Sequence, residues 1–249
     1  MTYIMAVAAA AGLLLSSCSK KTDNLLNDTP SVSTPSATTP SFPDGYGALA
    51  AVSTISYTVV AGITIPVQVN SAVGVFYTSA GSGSKADGGT VTVNGKTLTK
   101  QSNNAYVYQN LTDPLSLSSS NAWNDTGSAS VPAFSYTDNR PMPTYSDYAS
   151  LPSSVTRASG LTVNLSGTIS GTDSVYVVLI STSSSVIIKR VAGTAAQAVF
   201  TPSELSSLSA TSTGIVEVCP WNYVSETFSG KKFYFVNESA YTRSGVSIN

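Results

Sequence analysis

The stretch TVTVNGKTLTK, residues 90–100, predicts an antiparallel β-hairpin with a defined register. Asn94 and Gly95 suit a two-residue type I′ turn, because both central positions of that turn need a positive φ angle. In this register Val93 faces Lys96, so the apolar side chains share one face and the threonines line the other. Such alternation is typical of an antiparallel sheet with one buried and one solvated face.

The same alternation continues before the hairpin and favours an all-β protein. The runs TISYTVV (54–60) and ITIPVQV (63–69) each place apolar residues on one face. Pro66 has no N–H to donate, so its strand is expected at a sheet edge or at a bulge. We predict a β-sandwich-like domain over residues 44–152. Its stretch 111–152 lacks clear periodicity and is either functional or packed by its own aromatic residues.

Residues 159–249 contain further strand-like runs, separated by turn residues. The runs are LTVNLSG, DSVYVVLIS, SVIIKRV, AQAVF, GIVEV, KKFYFVN and SGVSI. Short strands in this number and at this spacing resemble an immunoglobulin or fibronectin type III sandwich, which implies a second β-sandwich domain. The run FTPSELSSL predicts one short helix near 202–208, because Thr201 can cap it, Pro202 suits its first position and Glu204 completes a capping box.

The N-terminal residues predict a lipoprotein signal peptide over residues 1–17. The apolar run IMAVAAAAGLLL (4–15) is too short to span a bilayer, which takes about 20 residues, but is typical of the core of a secretory signal. The segment LSSC that ends at Cys18 resembles the lipobox of bacterial lipoproteins, and this resemblance implies lipid attachment to Cys18. Residues 1–3 depart from the usual pattern because they contain no Lys or Arg. A signal without lipidation, or a buried N-terminal segment in which the cysteine occurs by chance, is the alternative.

The sequence after Cys18 bears on where the protein resides. Its start, CSKK, resembles lipoproteins of Bacteroidetes-type bacteria. Cys18 is followed by Ser19 and not by an aspartate, and the resemblance to enteric lipoproteins then implies an outer-membrane location. Both the periplasmic and the surface side stay open. Residues 18–43 are rich in Pro, Ser and Thr, which predicts a flexible linker. The expected partners are the membrane, through the lipid, and a polysaccharide or another envelope protein.

The composition excludes several kinds of chemistry. The chain has 249 residues and no histidine, so it contains neither a Ser-His-Asp triad nor a His-containing zinc site. A net charge of −1 does not suit a nucleic-acid binder, which needs a basic surface. Cys219 lies in an apolar run and is expected to be a small buried side chain. We therefore expect a non-enzymatic protein without a metal or cofactor.

Aromatic residues are the remaining candidates for a ligand site. Trp221, Tyr223 and Phe228 lie in CPWNYVSETF, which we interpret as a connection between two strands, and Trp123 lies in NAWND. Exposed rings of this kind stack on the apolar faces of sugars, whereas core packing is the more usual fate of tryptophan. The predicted role is glycan binding, adhesion or a structural subunit of an envelope complex. A hydrolase with two carboxylates about 10 Å apart is the less favoured alternative.

Overall fold

The computed structural model describes residues 42–60, 63–182 and 185–249, and in these ranges the chain is mostly β. The all-β prediction is confirmed. The strands are β1 (Gly47–Val60), β2 (Ile63–Ser79), β3 (Ser82–Ala86), β4 (Val91–Val93), β5 (Lys96–Thr97), β6 (Thr99–Lys100), β7 (Tyr106–Tyr108), β8 (Asn121–Asp125), β9 (Phe134–Asp138), β10 (Thr144–Tyr145), β11 (Ser154–Val155), β12 (Leu161–Asn164), β13 (Ile169–Ser170), β14 (Ser174–Thr182), β15 (Ser185–Ala192), β16 (Gln197–Phe200), β17 (Thr211–Phe228) and β18 (Lys231–Ile248). The helical elements are one short helix, α1 (Pro202–Leu205), and two 3₁₀ turns, η1 (Tyr148–Ser150) and η2 (Arg157–Ser159).

A ten-stranded main sheet runs through both halves of the described chain. Its order is β15-β14-β17-β18-β1-β2-β7-β6, with β3 and β11 paired at its sides. The first strand lies next to the last, because β1 runs parallel to β18 with Gly47 opposite Phe233. Antiparallel ladders join β1 to β2 and β17 to β18. The division into domains at residues 152–159 stays a prediction.

Two apolar cores lie on the same face of the main sheet. The first core is closed by the four-stranded sheet β5-β4-β8-β9 and contains Phe76, Trp123 and Phe233. The second core is closed by the strand pair β12–β16 and by α1, and it contains Phe200 and Tyr241. In each core a small sheet or strand pair packs on the large sheet, which is a sandwich-like arrangement.

A buried polar layer separates the two cores. Asn237 of β18 donates from Nδ2 to Asp138 Oδ2 (2.9 Å) and to Asn222 Oδ1 (3.3 Å). Arg140 binds both carboxylate oxygens of Asp138, through Nε at 2.9 Å and Nη2 at 2.7 Å. Buried polar groups are stable only when they are hydrogen-bonded, and this layer meets that condition through its own side chains.

The hairpin predicted at residues 90–100 is confirmed in its turn and its register. Asn94 and Gly95 have φ angles of 47° and 77°. Val93 pairs with Lys96, as the type I′ turn requires. Val91, Val93 and Leu98 are buried in the first core, so the apolar face of the hairpin points inward.

The helix predicted near 202–208 is also present, although it ends at Leu205. The Thr201 hydroxyl accepts a hydrogen bond from the Glu204 N–H at 3.3 Å, and Glu204 Oε2 accepts one from the Thr201 N–H at 2.7 Å. This reciprocal pair is the predicted capping box. Glu204 also forms an ion pair of 2.6 Å with Lys189 of β15, which ties the helix to the main sheet.

Pro66 lies on an edge of the main sheet, as predicted. The N–H of Tyr77 donates across to Tyr46, at 2.8 Å, and an unbroken register continues from there through β2. Backbone groups alternate sides along an antiparallel strand, so odd-numbered residues of β2 turn toward β1 and Pro66 turns away from it. In the described chain, the outer side of β2 is paired only from Ala72 onward. The missing N–H of Pro66 therefore leaves no ladder bond unmade.

One sequence interpretation is wrong. The segment CPWNYVSETF is not a connection between strands, because β17 is a continuous strand of 18 residues that includes it. Pro220 interrupts the ladder to β18 between Val218 and Trp221, and the pairing then resumes in the same register. Beside the interruption, the Thr172 hydroxyl accepts from the Trp221 N–H at 3.0 Å and donates to the Trp221 carbonyl at 2.8 Å. A side chain thus supports the strand where proline weakens it.

The stretch 111–152 is packed by its own side chains, one of the two predicted alternatives. Leu115, Trp123 and Phe134 enter the first core. Tyr145 enters the second. The stretch contains the short strands β8, β9 and β10, which are separated by turns rich in Ser, Asn and Pro.

Candidate binding face

The main sheet presents a second face, opposite to the two cores. Along β17, Glu217, Cys219, Trp221 and Tyr223 alternate with core residues such as Val218, because side chains alternate across a strand. The buried apolar members of this face in the described chain come from strands of the main sheet, together with Phe42, which precedes β1. We call this surface the aromatic face, after the rings of Phe42, Tyr176, Trp221, Tyr223 and Tyr234.

These rings form a continuous row across the face. Tyr176 stacks on Trp221 with centroids 5.6 Å apart, and Trp221 stacks on Tyr223 at 5.4 Å. Phe42 lies 5.5 Å from Tyr223 and stacks on Tyr234 at 4.1 Å. Offset ring pairs at such distances stabilise one another beyond the area that they bury. The row is therefore held in place before any ligand arrives.

Exposure is uneven along the row. Tyr223 is 39% exposed, whereas Trp221 is only 1% exposed. The guanidinium of Arg190, a residue on β15, lies over the Trp221 ring with Cζ 5.4 Å from the centroid. Arg190 also donates to the Ser174 hydroxyl, at 3.2 Å from Nε and 3.1 Å from Nη2. Tyr223 is thus the accessible ring of the row, and Arg190 covers its neighbour.

Polar groups flank the exposed ring on two sides. The Tyr223 N–H donates to Asp173 Oδ2 at 3.0 Å, which places a carboxylate beside the ring. On the other side, Asp44 accepts from Lys232 Nζ and from the Tyr234 hydroxyl, each at 2.5 Å. These hydrogen bonds, that from Lys232 first, hold the pKa of Asp44 below its ordinary value. The row therefore has hydrogen-bonding groups at both margins.

Two glutamates lie on the same face without a basic partner. Glu217 is 4% exposed and accepts a hydrogen bond from the Thr242 hydroxyl at 3.0 Å. Burial raises the pKa of Glu217 to about 6. Glu238 is half-buried directly opposite Trp221 in the ladder, and burial, followed by the charge of Glu217, raises its pKa to about 7. Neither glutamate takes part in the ion pairs of the described residues.

Cys219 lies between the two glutamates along the face and is buried, as expected. Burial, followed by the charges of Glu217 and Glu238, raises the pKa of its thiol well above the ordinary value. A thiol in this state is a poor nucleophile, because the thiolate is the reactive form. The side-chain donors Tyr176 Oη and Trp221 Nε1 lie nearby, buried and without a partner in the described part of the protein.

The other two predicted rings lie elsewhere. Trp123 is 1% exposed and belongs to the first core, so it is not the exposed loop residue that a sugar-stacking role needs. Phe228 is half-buried at the end of β17 and stacks on Phe134 at 4.8 Å. Trp221 is buried as well. The structure brings together Trp221 and Tyr223, and of the four predicted residues it exposes Tyr223.

A second group of acids lies near the first core. Asp87 accepts from Lys100 at 2.6 Å and from the Tyr106 hydroxyl at 2.6 Å, and these bonds hold its pKa below the ordinary value. Asp125 is 2% exposed, its Oδ2 has no partner, and burial raises its pKa to about 6. Within residues 42–60, 63–182 and 185–249, no three acidic or cysteine side chains come together as metal ligands.

The sequence reasoning missed other residues of the aromatic face, among them Phe42, Tyr176, Tyr234, Glu217 and Glu238. A signal for Glu217 was present in IVEVCPWNY, where a carboxylate alternates in step with Cys219 and Trp221. A period of two that includes a charged residue places that residue on the same face as its apolar neighbours. Phe42 and Tyr176 carry no comparable signal, because only the strand pairing brings them to this face.

The chain matches no protein-family model, and neither a curated protein nor a solved structure matches it. Among the described residues, no helix is long and apolar enough to cross a membrane.

Proposed function

We propose that this chain is a lipid-anchored, non-catalytic protein of the bacterial outer membrane that binds glycans on its aromatic face. The observation that carries the proposal is the exposed ring of Tyr223, which is stacked on buried Trp221 and flanked by Phe42. Aromatic rings offer an apolar surface to the C–H faces of sugars. A ring that is already held by its neighbours loses little conformational freedom when a ligand binds.

The groups beside the ring suit the hydroxyls of a sugar. Asp173 and Arg190 are exposed, and they provide a carboxylate acceptor and a guanidinium donor near Tyr223 and Trp221. A binding site of this kind combines an apolar surface with a few polar groups that orient the ligand.

The carboxylates support a binding role rather than hydrolysis. A glycosidase needs two carboxyl groups that both reach the scissile bond. Glu217 and Glu238 are electrostatically coupled acids on the aromatic face, but Glu217 is 4% exposed and hydrogen-bonded to Thr242. A substrate would have to displace strand side chains to reach it.

The membrane part of the proposal rests on the lipobox-like segment that ends at Cys18. Several acyl chains on one residue give stable attachment, because each buried CH₂ contributes about 0.8 kcal/mol. Mass spectrometry of the protein extracted from membranes tests this part. We expect a chain that begins at an acylated Cys18, and an unmodified N-terminus upstream of Cys18 would contradict it.

Glycan binding is tested on the chain from residue 18 onward, with Cys18→Ser to prevent acylation. We expect retention by at least one polysaccharide of a broad panel in affinity electrophoresis, and an affinity loss of about tenfold in Tyr223→Ala, since ring stacking contributes about 0.5–1.5 kcal/mol. The matched control is Leu111→Ala, which removes another exposed apolar side chain, 65% accessible, away from the aromatic face. Retention by no glycan, or equal loss in both variants, would overturn the proposal.

A further inference from the structure

The two glutamates of the aromatic face form an electrostatically coupled pair in the centre of the main sheet. Glu217 of β17 pairs with Thr242, and Glu238 of β18 pairs with Trp221, so the two glutamates are four positions apart in the ladder. Cys219 lies between Glu217 and Trp221 along β17. Both lie on the inner strands β17 and β18 of the main sheet, which have β14 and β1 as their outer neighbours. The hydroxyl of Thr242 is the one hydrogen-bond donor that the described side chains offer to Glu217.

Few other charged or titratable groups share this face with the pair. β15 contributes Arg190, which is engaged with Ser174 and the Trp221 ring. Next to the pair, β1 and β2 contribute uncharged residues such as Val52, Thr54 and Ser71. The titratable side chains that the other strands contribute are Tyr77 from β2, Lys85 from β3, Tyr176 from β14, Cys219 and Tyr223 from β17, and Lys232 and Tyr234 from β18. Lys232 is bound to Asp44 at the margin of the face, and Lys85 lies three strands away from β18. No basic side chain therefore neutralises the pair when it ionises.

We propose that Glu217 and Glu238 act as a proton-responsive pair that switches the charge of the aromatic face near neutral pH. In acid both carboxyl groups are neutral, and the face is apolar around its aromatic row. Above neutral pH both are ionised, and the face carries two negative charges, of which that of Glu238 lies opposite Trp221. The regulation of glycan binding by this switch rests on the function proposed above: an acidic glycan on Tyr223 is repelled when the pair is charged.

The burial of the two groups supplies the physical cause. An unpaired carboxylate in apolar surroundings loses hydration, so the neutral acid is favoured. The pKa values of about 6 for Glu217 and about 7 for Glu238 express this preference. Both lie above the ordinary value of 4.5, so the folded protein retains protons that the unfolded chain releases. The stability that the pair provides is fully present below about pH 4.5 and is lost as pH rises through 6 and 7.

The titration is measured directly by carbon NMR of the side-chain carboxyls. The chain has only four glutamates, Glu204, Glu217, Glu226 and Glu238, so selective labelling gives four signals, each assigned by its Glu→Gln variant. We expect two signals to titrate between about pH 5.5 and 7.5. One of them should be missing in E217Q and the other in E238Q. In E217Q the Glu238 signal should titrate at lower pH, since the charge of Glu217 is gone. Titration of both groups below pH 5 would overturn the proposal.

A second variant keeps both carboxyl groups, so that the proposal can be tested even if E217Q does not fold. Thr242→Val removes the hydroxyl that stabilises ionised Glu217, so we expect the Glu217 signal to titrate at higher pH while the Glu204 signal is unchanged. An unchanged Glu217 signal would show that this group is solvated and would contradict the proposal.

Binding assays separate this inference from the proposed function. We expect an acidic polysaccharide to bind about tenfold more weakly at pH 8 than at pH 5.5 in the wild type, since like charges repel. The change should be smaller in E238Q, which keeps Glu217, and absent in the double variant E217Q/E238Q. Equal binding at both pH values would overturn the switch and leave glycan binding intact. Retention of no glycan at either pH would overturn the proposed function, while the NMR titration would still decide whether the pair responds to protons.

Discussion

Asn121 donates a hydrogen bond of 2.9 Å from Nδ2 to Oδ1 of Asn237, although 116 residues separate the two. Asn237 uses its own amide to bind Asp138 and Asn222, so it connects β8 and β9 of the middle of the chain with β17 and β18. All of these groups lie between the two apolar cores. The contact shows that polar side chains lie where the two cores meet, and that each of them has a specific hydrogen-bond partner.

We expect Asn237→Ala to lower the free energy of unfolding by about 2–4 kcal/mol, because it leaves several buried polar groups without partners. Urea unfolding followed by tryptophan fluorescence measures the loss. The matched control is Asn164→Ala, which removes an exposed asparagine whose side chain accepts one local hydrogen bond, from Ser166. A loss in Asn237→Ala no larger than in the control would show that the polar layer contributes little to stability.

Asp125 predicts a measurable dependence of stability on pH. Burial raises its pKa to about 6, above the ordinary 3.8, so the folded state is penalised as pH rises through this interval. The penalty approaches about 3 kcal/mol above pH 6. Asp125→Asn should therefore be more stable than the wild type at pH 7.5 and similar to it at pH 3.5, as measured by urea unfolding at both pH values.

The control for this effect is Asp113→Asn. Asp113 is exposed, and its hydrogen bond from Lys96 holds its pKa below the ordinary value, so its contribution to stability has the opposite sign and is lost as pH falls. If Asp125→Asn showed no gain at pH 7.5, the carboxylate would have to be hydrated, contrary to its 2% exposure.

We expect Pro66 to keep the outer edge of β2 from pairing with a strand of another chain. Its missing N–H faces outward on β2, and exposed Ile65 and Val67 lie on either side of it. Such an apolar edge would otherwise accept another strand. We expect Pro66→Val to increase self-association, detected by light scattering at rising protein concentration. Pro132→Val, at a position outside the strands, is the control, and equal scattering from the two variants would argue against a protective role for Pro66.

Replacing glycine by alanine should lower the free energy of unfolding by different amounts at Gly88 and at Gly95. A Cβ on Gly88 would lie 2.4 Å from the Phe76 ring in the core, whereas a Cβ on Gly95 would meet nothing within 4 Å. Gly95→Ala should cost about 1 kcal/mol, because its positive φ strains an L-residue. Gly88→Ala should cost more, up to about 3 kcal/mol, through overpacking. Thermal unfolding ranks the two, and the reverse order would contradict the packing around Phe76.

Local signals in the sequence predicted local structure well. Asn94 and Gly95 determine both the turn and the register of their hairpin, because only a few residue types allow two successive positive φ angles. Thr201 and Glu204 determine the start of α1 in the same way, through a reciprocal hydrogen bond within one turn. In both cases the interacting groups are neighbours along the chain, so a short window contains all the information.

The aromatic face was only partly predictable, for a physical reason. Trp221 and Tyr223 are candidates from the sequence, but the sequence does not predict the continuous strand that contains them. Pro220 and Asn222 stand where the apolar alternation of Val216 and Val218 would continue. Asn222 is polar because it faces the buried layer at Asn237. Asn237 is 15 residues further along the chain. A short stretch of sequence around Asn222 therefore does not show that the strand continues through it.

The parallel pairing of β1 with β18 has a consequence for the order of folding. Leu49 of β1 packs in one core with Phe235 of β18, so the sheet that supports the first core stays incomplete until β18 is available. A domain with so much contact between its ends has a high contact order and folds slowly. Synthesis from the N-terminus therefore cannot yield a finished first half. Until β18 has been synthesised, β1 keeps an unpaired edge, because β18 is its partner on that side, and this interval is the nascent chain's period of greatest exposure to aggregation.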